Sequence, residues 1–335
     1  MSGDPYAKAV REQPGHIDQR ELARNLHEHW GLALGRLCHL PVGFGDHHWE
    51  LTDAAGGHWF VTVAELAGGW RGTSPAAGYA DLRASMETVI ALRRAGLEFA
   101  VAPVPTAGGQ ALAPLGAGNA VTVFPYIDCG PGDFGDGRPE RDRPALIRIQ
   151  ARLHGATPLA RRTALARGPT PASRPELEAA LGELSRPWSG GPYSEPARRL
   201  LARHAARLRR ALARFDELVG AAARGGPPVI THGEPHPGNI LRSAGRMHLI
   251  DWDTVGLALP ERDLWMVAGD DAGAAGRYTE LSGRPVSGAA MRMYKMRWSL
   301  DDIALAVRNF RGSHEQNEDS RLTWEALTEE IGAIT

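Results

Sequence analysis

Lysine and cysteine are the residue types that this chain of 335 residues uses least. Lys8 and Lys295 are the only lysines, so arginine supplies nearly all of the positive charge. Cys38 and Cys129 are the only cysteines, which excludes a disulfide framework. A small disulfide-stabilised secreted domain is therefore excluded, and any chemistry that needs a lysine has very few positions from which to take it.

The chain also lacks a long apolar run and a strong excess of charge. No apolar stretch is long enough to span a membrane, and the polar N-terminus, with Asp4, Lys8 and Arg11, does not resemble a secretory signal. A formal net charge of −1 argues against a nucleic-acid binder. The length suffices for two domains or two lobes. We therefore expect a cytoplasmic globular protein that has neither a membrane nor a nucleic-acid partner.

One short region carries most of the chemical information. It reads H-G-E-P-H-P-G-N from His232 to Asn239 and I-D-W-D from Ile250 to Asp253. A carboxylate, Glu234, stands five positions before an Asn, and a second carboxylate follows twelve positions after that Asn. The catalytic loop of kinases is written H-R-D-x-x-x-x-N, and this region fits that frame with Glu where Asp is usual. Phosphoryl transfer needs one carboxylate to orient the acceptor hydroxyl, and an Asn and an Asp to hold Mg²⁺.

The spacing between Asn239 and Asp251 has a structural explanation. The residues between them read as two short strands around a Ser-Ala-Gly turn. Because a hairpin returns to the point where it began, we expect Asn239 and Asp251 to face one metal ion. In this interpretation Glu234 orients the acceptor hydroxyl and His232 braces the loop.

These motifs resemble the aminoglycoside phosphotransferase family, a branch of the protein-kinase-like fold that also includes choline kinases. The family pattern is roughly H-G-D-x-H-x-x-N, then I-D-[FW], then a D-L pair, which here is Asp263-Leu264. The resemblance implies a two-lobed α+β fold. Residues 1–126 would form a small, mainly antiparallel β lobe with one key helix, 127–137 a hinge, and 138–335 a larger, mainly helical lobe. It also implies that Asp263 supports the catalytic loop.

The resemblance further implies a nucleotide site in the small lobe. A glycine-containing loop would lie over the phosphates, although an ordinary hairpin turn would have the same sequence; its residues are Gly43, Phe44, Gly45 and Asp46. A strand at 120–128 would lead into the hinge that binds the base. Pro125 has no N–H, so the donors there would come from Tyr126 or Ile127.

The lysine that kinases carry on the third strand is missing. The strand reads F-V-T-V, so Thr62 stands at the lysine position. An Arg from elsewhere would have to substitute, or Mg²⁺ and backbone amides would bind the phosphates, or the protein is inactive. On a helix expected at about 79–95, Glu87 stands where the family places the partner of that lysine. Arg83 lies one turn earlier and either forms an exposed ion pair with Glu87 or reaches the phosphates.

The acceptor is expected to be a small molecule, because no long activation segment follows Asp251. From Asp251 to Thr335 there are fifteen Asp and Glu against nine Lys and Arg, which suits a cationic acceptor. Simple surface solvation is the alternative explanation for each acidic residue. The candidate acceptor-binding residues are His236, Asp253, Asp270, Asp271, Trp298, Asp301 and Asp302.

The sequence as a whole predicts a kinase that transfers the γ-phosphate of ATP or GTP to a hydroxyl group with the help of Mg²⁺. We expect the acceptor to be an antibiotic, either aminoglycoside-like or a nucleoside or peptide antibiotic, so that the enzyme confers resistance. A metabolic kinase for choline, an amino alcohol or a sugar is an alternative. A pseudokinase that binds nucleotide without turnover is another, although the intact Asn239 and Asp251 pair argues against it. The protein would act as a monomer or homodimer.

Overall fold

The fold, taken from a computed structural model, is a mixture of α-helices and antiparallel β-strands, as the sequence predicts. The structure describes residues 13–43, 45–66, 74–129 and 139–334. A five-stranded antiparallel sheet in the order β1-β2-β3-β5-β4 consists of β1 Leu34–Leu40, β2 His47–Asp53, β3 His58–Glu65, β4 Ala113–Leu115 and β5 Asn119–Pro125.

Two further pairs of strands lie in the second half of the chain. The outer pair is β6 Val229–Thr231 with β9 Gly256–Ala258, and the inner pair is β7 Ile240–Ser243 with β8 Arg246–Leu249. The β7–β8 hairpin turns at Ala244 and Gly245, which have φ of 49° and 74°. Two successive positive φ angles are typical of the tight turns that match strand twist. The predicted hairpin around Ser-Ala-Gly is therefore confirmed.

Helices make up most of the remaining described chain. They are α1 Gln19–Trp30, α2 Pro75–Arg94, α3 Pro139–Gly155, α4 Thr157–Ala160, α5 Arg174–Gly182, α6 Ser194–Ala222, α7 Glu261–Ala268, α8 Ala272–Ser282, α9 Gly288–Arg311 and α10 Glu318–Ala333. The helix expected at 79–95 begins one turn earlier because Ser74 caps its N-terminus by accepting from the amide of Ala77, with Pro75 in the first turn. None of the helices in the described chain combines the length and apolarity that a membrane crossing requires.

The five-stranded sheet has two chemically different faces. Val61 and Val63 of β3 are fully buried in a core with Trp49 of β2 and with Leu22 and Leu26 of α1. Side chains alternate along a strand, so Thr62 lies on the opposite face from its two valine neighbours. The α1 helix thus covers one face of the sheet, and Thr62, at the expected lysine position, lies on the other.

Two compact units divide the described chain. One lies within Ala9–Arg167 and Pro227–Pro285 and contains the five-stranded sheet, both strand pairs and helices α1 to α4, α7 and α8. The other lies within Gly168–Gly226 and Val286–Thr335 and contains α5, α6, α9 and α10. The division into lobes at 1–126 and 138–335 stays a prediction. Residues 130–137 of the expected hinge lie outside the described residues.

Shortening Leu22 to Ala is expected to destabilise the protein by about 2–5 kcal/mol, because its fully buried side chain fastens α1 to the sheet. Leu34→Ala is the matched control, since Leu34 is 49% exposed and its loss should change the free energy of unfolding by less than about 0.5 kcal/mol. Urea unfolding followed by circular dichroism measures both values. Equal effects of the two substitutions would show that α1 does not belong to this core.

Candidate active site

The H-G-E-P-H-P-G-N loop and the I-D-W-D segment leave the same end of one strand pair. In the β6–β9 register Thr231 is opposite Gly256, so the loop begins where the second segment ends. The β7–β8 hairpin then joins the two segments at its open end, where the amide of Ile250 donates to the carbonyl of Asn239 at 3.1 Å. Residues far apart in sequence are brought side by side by these two pairings.

The buried carboxylate of Asp263 holds the start of the loop. Its Oδ2 accepts from the amide of His232 at 2.9 Å, and its Oδ1 accepts from the amide of Gly233 at 2.7 Å. His154 lies 3.1 Å from Oδ2 through Nε2 and 2.7 Å from the hydroxyl of Tyr278 through Nδ1. Burial, the largest single influence, raises the pKa of Asp263, but the hydrogen bond with His154 and the charges of His154, His232 and Arg262 together outweigh it, so the pKa lies below its ordinary value. The expected supporting role of Asp263 is confirmed.

His232 braces the loop from within. Its ring is fully buried, with Nε2 donating to the carbonyl of Ile250 at 2.9 Å and Nδ1 accepting from the amide of Glu234 at 3.2 Å. That pattern requires a neutral ring with its proton on Nε2. Burial lowers the pKa of His232, which is consistent with the neutral form. His232 therefore joins the Glu234 loop to the segment that carries Asp251.

Gly233 is required where it stands. Its φ of 108° is a backbone angle that residues with a side chain adopt only at an energetic cost. A Cβ at this position would also lie 2.4 Å from Thr254 Oγ1 and 2.4 Å from Arg262 Nη2. The hydroxyl of Thr254 donates to the carbonyl of His232 at 3.0 Å, so this crowding comes from groups that also bind the loop. The glycine gives the loop its sharp exit from β6.

The amide group of Asn239 is oriented by the loop itself. Its Nδ2 donates to the carbonyl of Glu234 at 3.0 Å and lies 3.2 Å from Nε2 of His236. Because Nδ2 is used in this way, Oδ1 is the atom of this amide that could bind a hard cation, since amide oxygens are ligands for such ions. The arrangement also shows how His236, a candidate acceptor-binding residue, lies against Asn239.

Asp251 combines backbone strain with electrostatic crowding. It has a φ of 61°, in the left-handed region that non-glycine residues rarely adopt. Solvent reaches the residue, yet protein surrounds it on enough sides that desolvation raises its pKa well above the ordinary value. Neighbouring carboxylates raise the pKa further; they belong to Asp253, Glu234 and Asp46. Asp251 is thus an exposed residue on whose carboxylate the charges of three other carboxylates act.

The side chains whose charges act on Asp251 suit a hard divalent cation. The charged side chains that act on Asp251 are carboxylates only, those of Asp253, Glu234 and Asp46, and the amide of Asn239 lies on the adjoining loop. Oxygen donors of this kind select Mg²⁺ or Ca²⁺ over softer metals. Mutual repulsion among the carboxylates is the property that a bound cation relieves. The residues present therefore fit Mg²⁺, with Asn239 and Asp251 as the expected ligands.

Helix α2 is fastened to the same segment by residues that the sequence did not single out. Ser85 donates to the carbonyl of Asp253 at 2.8 Å, and Arg167 donates to Ser85 at 2.9 Å. Arg167 also grips Asp81 through two hydrogen bonds of 2.7 and 3.0 Å. The sequence offered no signal for this link, because Asp81 and Arg167 are far apart in the chain and neither belongs to a motif.

Glu87 lies on the exposed side of α2. Its carboxylate is 3.8 Å from Nε of Arg83, and both side chains are about half exposed. The interpretation of this pair as an exposed helical ion pair is confirmed. A role for Glu87 towards the nucleotide stays a prediction.

Thr62 does stand on the sheet face away from the core. It pairs in register with His48 of β2, and its hydroxyl is 3.1 Å from Nδ1 of the His48 ring. Gly43 and Gly45 have φ of 77° and 90°, as a glycine turn before β2 requires. Phe44 lies outside the described residues.

The expected hinge begins at the end of β5. Pro125 is the last residue of that strand, and the amide of Tyr126 donates to the carbonyl of His58 at 3.2 Å. The rings of Tyr126 and His58 are stacked at 3.8 Å. Because the sheet already uses the Tyr126 amide, Ile127 is the better placed of the two expected donors to a base.

Three candidate acceptor-binding residues, Trp298, Asp301 and Asp302, lie on α9 in the second compact unit. Within that unit Asp301 accepts from the hydroxyl of Ser173 at 2.5 Å and lies 3.4 Å from Nε of Arg297. In the first unit Asp271 caps α8 and lies 2.9 Å from Arg143, which gives it a structural role. Asp270 is exposed. The roles of all these residues towards an acceptor stay predictions.

Known structures share this fold. Spectinomycin phosphotransferase in complex with ADP and spectinomycin has a TM-score of 0.71 at 17% identity, with 96% of this chain and 99% of that chain covered. An amicoumacin kinase in complex with AMP-PNP and Ca²⁺ has a TM-score of 0.58 at 14% identity, with 94% of each chain covered. At these identities the likeness concerns the fold.

Sequence similarity gives the family. Protein StrN from Streptomyces griseus is 30% identical over 268 residues, which cover 72% of this chain and 74% of that protein. The profile of the phosphotransferase enzyme family matches residues 36–294, a span that contains the glycine turn, the H-G-E-P-H-P-G-N loop and the Asp251 segment. The chain thus belongs to the phosphotransferase enzyme family, in agreement with the resemblance that its motifs predict.

Proposed function

We propose that this phosphotransferase is a kinase that transfers the γ-phosphate of ATP or GTP to a hydroxyl group of a small molecule. The observation that carries the proposal is the pairing that brings the 232–239 loop against the 250–253 segment, where burial and then the charges of Asp253, Glu234 and Asp46 raise the pKa of Asp251. Such crowding is costly for a protein that does not bind a cation there. A nucleotide that arrives with its divalent cation offsets that cost.

The chain's own residues would divide the work. Glu234 accepts a hydrogen bond from the acceptor hydroxyl and orients it, which matters more than basicity in a loose transition state. Asn239 and Asp251 would hold Mg²⁺, which when bound neutralises charge on the phosphates. His232 and Asp263 keep the loop in place and do not contact the reacting atoms in this scheme.

We further propose that the acceptor is an antibiotic and that the reaction takes place in the cytoplasm and confers resistance. The excess of acidic residues after Asp251 favours a cationic acceptor. Asp253 acts on the carboxylate of Asp251, and His236 lies 3.2 Å from the amide nitrogen of Asn239, which supports these two residues of the first compact unit as contacts for the acceptor.

An assay of nucleotide consumption tests the proposal. ATP and GTP, each with Mg²⁺, are offered with spectinomycin, an aminoglycoside, a nucleoside antibiotic, a basic peptide antibiotic and choline. Phosphorylation of an antibiotic supports the proposal, and phosphorylation of choline alone would move the enzyme to the metabolic class. Nucleotide binding without consumption under every condition would identify a pseudokinase.

Glu234→Gln is expected to lower kcat by roughly 10²- to 10⁴-fold while the affinity for nucleotide changes less than about twofold. The amide keeps the size of the side chain but cannot accept the hydroxyl proton in the same way. Steady-state kinetics and nucleotide titration measure the two quantities. Glu217→Gln, at a position of α6 that is 66% exposed and lies outside every predicted site, is the matched control and should leave kcat unchanged. A normal kcat in Glu234→Gln would remove Glu234 from the mechanism.

Asp251→Asn is expected to abolish Mg²⁺-dependent turnover yet to stabilise the metal-free protein. The raised pKa means that stability contributed by Asp251 is present below the unfolded-state pKa of about 3.9 and is lost as the pH rises through the folded-state value. At neutral pH the free energy of unfolding of the variant should be higher by on the order of 0.5 kcal/mol, a small value because Asp251 is an exposed residue and solvent screens its charge.

Thermal unfolding between pH 5 and pH 8 without divalent cations provides the measurement. The unfolding temperature of Asp251→Asn should exceed that of the unaltered protein by an amount that grows as the pH rises. With Mg²⁺ and nucleotide present, the unaltered protein should have the higher unfolding temperature. Asp270→Asn, at an exposed position outside the cluster, serves as the control. A difference that does not depend on pH would contradict the crowding of Asp251.

A further inference from the structure

The structure places a histidine beside the position of the missing strand lysine. His48 of β2 is the register partner of Thr62 of β3, and Nδ1 of its ring lies 3.1 Å from the Thr62 hydroxyl. Directly paired residues of adjacent antiparallel strands point to the same face of a sheet. His48 and Thr62 therefore form one polar pair at the site where a kinase lysine would stand.

That polar pair lies on the sheet face opposite the α1 core. The core side is taken by Trp49, Val61 and Val63, which alternate with His48 and Thr62 along β2 and β3. Alternation thus sends the ring of His48 and the hydroxyl of Thr62 to the other side of the sheet.

The start of β2 lies close to the carboxylate cluster. Asp46 stands two residues before His48, is largely buried, and its charge raises the pKa of Asp251. The start of β2, which carries His48, therefore follows directly on a residue whose charge acts on Asp251, one of the two proposed metal ligands.

The outer nitrogen of His48 lies directly beneath the glycine turn. A Cβ built on Gly43 would stand 2.7 Å from Nε2 of His48, and only a residue without a side chain leaves that nitrogen its space. Gly43 also has a φ of 77°, which other residues adopt only at a cost. In the proposed function this turn covers the nucleotide phosphates, so Nε2 points into the layer between the turn and the sheet.

We propose that His48, oriented by Thr62, is a phosphate-binding residue that takes the place of the strand lysine. The assignment rests on the proposed function, since it concerns the same nucleotide site. When the Thr62 hydroxyl donates to Nδ1, the ring proton of the neutral histidine is on Nε2, and Nε2–H donates to a phosphate oxygen. A hydrogen bond to a charged phosphate is stronger than one between neutral groups. Thr62 is then a positioning residue and not a failed lysine.

Nucleotide titrations that vary the number of phosphates test the assignment. His48→Ala should weaken the binding of MgATP by about 10-fold or more and leave the binding of adenosine unchanged, because adenosine has no phosphate for Nε2 to contact. Thr62→Val, which removes the hydroxyl and keeps the branched shape, should weaken MgATP binding by a smaller factor, again without an effect on adenosine. His27→Ala, at an exposed position of α1, is the matched control for the loss of a histidine.

A rescue experiment separates phosphate binding from a structural role. In the double variant His48→Ala/Thr62→Lys, a lysine at the family position should restore MgATP affinity to within about threefold of the unaltered protein, since it supplies the missing donor. A purely structural effect of His48→Ala would lower adenosine affinity as well and would not be rescued by lysine.

The outcomes distinguish this assignment from the proposed function. If the unaltered protein binds neither ATP nor GTP, the kinase proposal fails and the role of His48 fails with it. If the unaltered protein binds MgATP and His48→Ala binds it equally well, the kinase proposal stands and the assignment of His48 is wrong. A loss of affinity in His48→Ala for MgATP but not for adenosine, restored by adding Thr62→Lys, supports both the kinase proposal and the assignment of His48.

Discussion

The hydrogen bonds to the buried carboxylate of Asp263 are the interaction on which the site depends. The amides of His232 and Gly233 leave the β6 ladder at a sharp turn, and buried amides without acceptors would cost free energy. A carboxylate supplies two oxygens at once, and His154 offsets the cost of burying its charge. Because His232 in turn binds the carbonyl of Ile250, the position of the Asp251 segment follows from the same anchor.

Stability and strain are distributed unevenly in this region. The loop base is buried and fully hydrogen-bonded through Asp263, whereas Asp251 has a left-handed backbone and a carboxylate crowded by others. Strained backbone and repelling charges persist only where the surroundings over-determine them, and they are common at functional sites. In the proposed function this hydrogen-bonded base supports Asp251, and a cation bound there would offset the repulsion between its carboxylate and its neighbours.

The sequence was sufficient for features that depend on local spacing. The α+β class, the β7–β8 hairpin, the supporting role of Asp263 and the family all followed from motifs at fixed distances along the chain. Turn chemistry at Ala244 and Gly245 and the alternation of β3 are properties of neighbouring residues, so a single sequence reveals them. The division into lobes and the identity of the acceptor are not encoded in this local way.

Pairings between distant segments were decided by the tertiary structure alone. The links from Arg167 to Asp81 and Ser85, and from Ser85 to the Asp253 carbonyl, join three separate parts of the chain through residues that form no motif. The register of β2 on β3 likewise puts His48 opposite Thr62, and a shift by one residue would have turned it towards the core. The sequence by itself determined which chemistry the chain carries; strand register and long-range hydrogen bonds decided which side chains meet around it, because these contacts depend on packing and not on spacing.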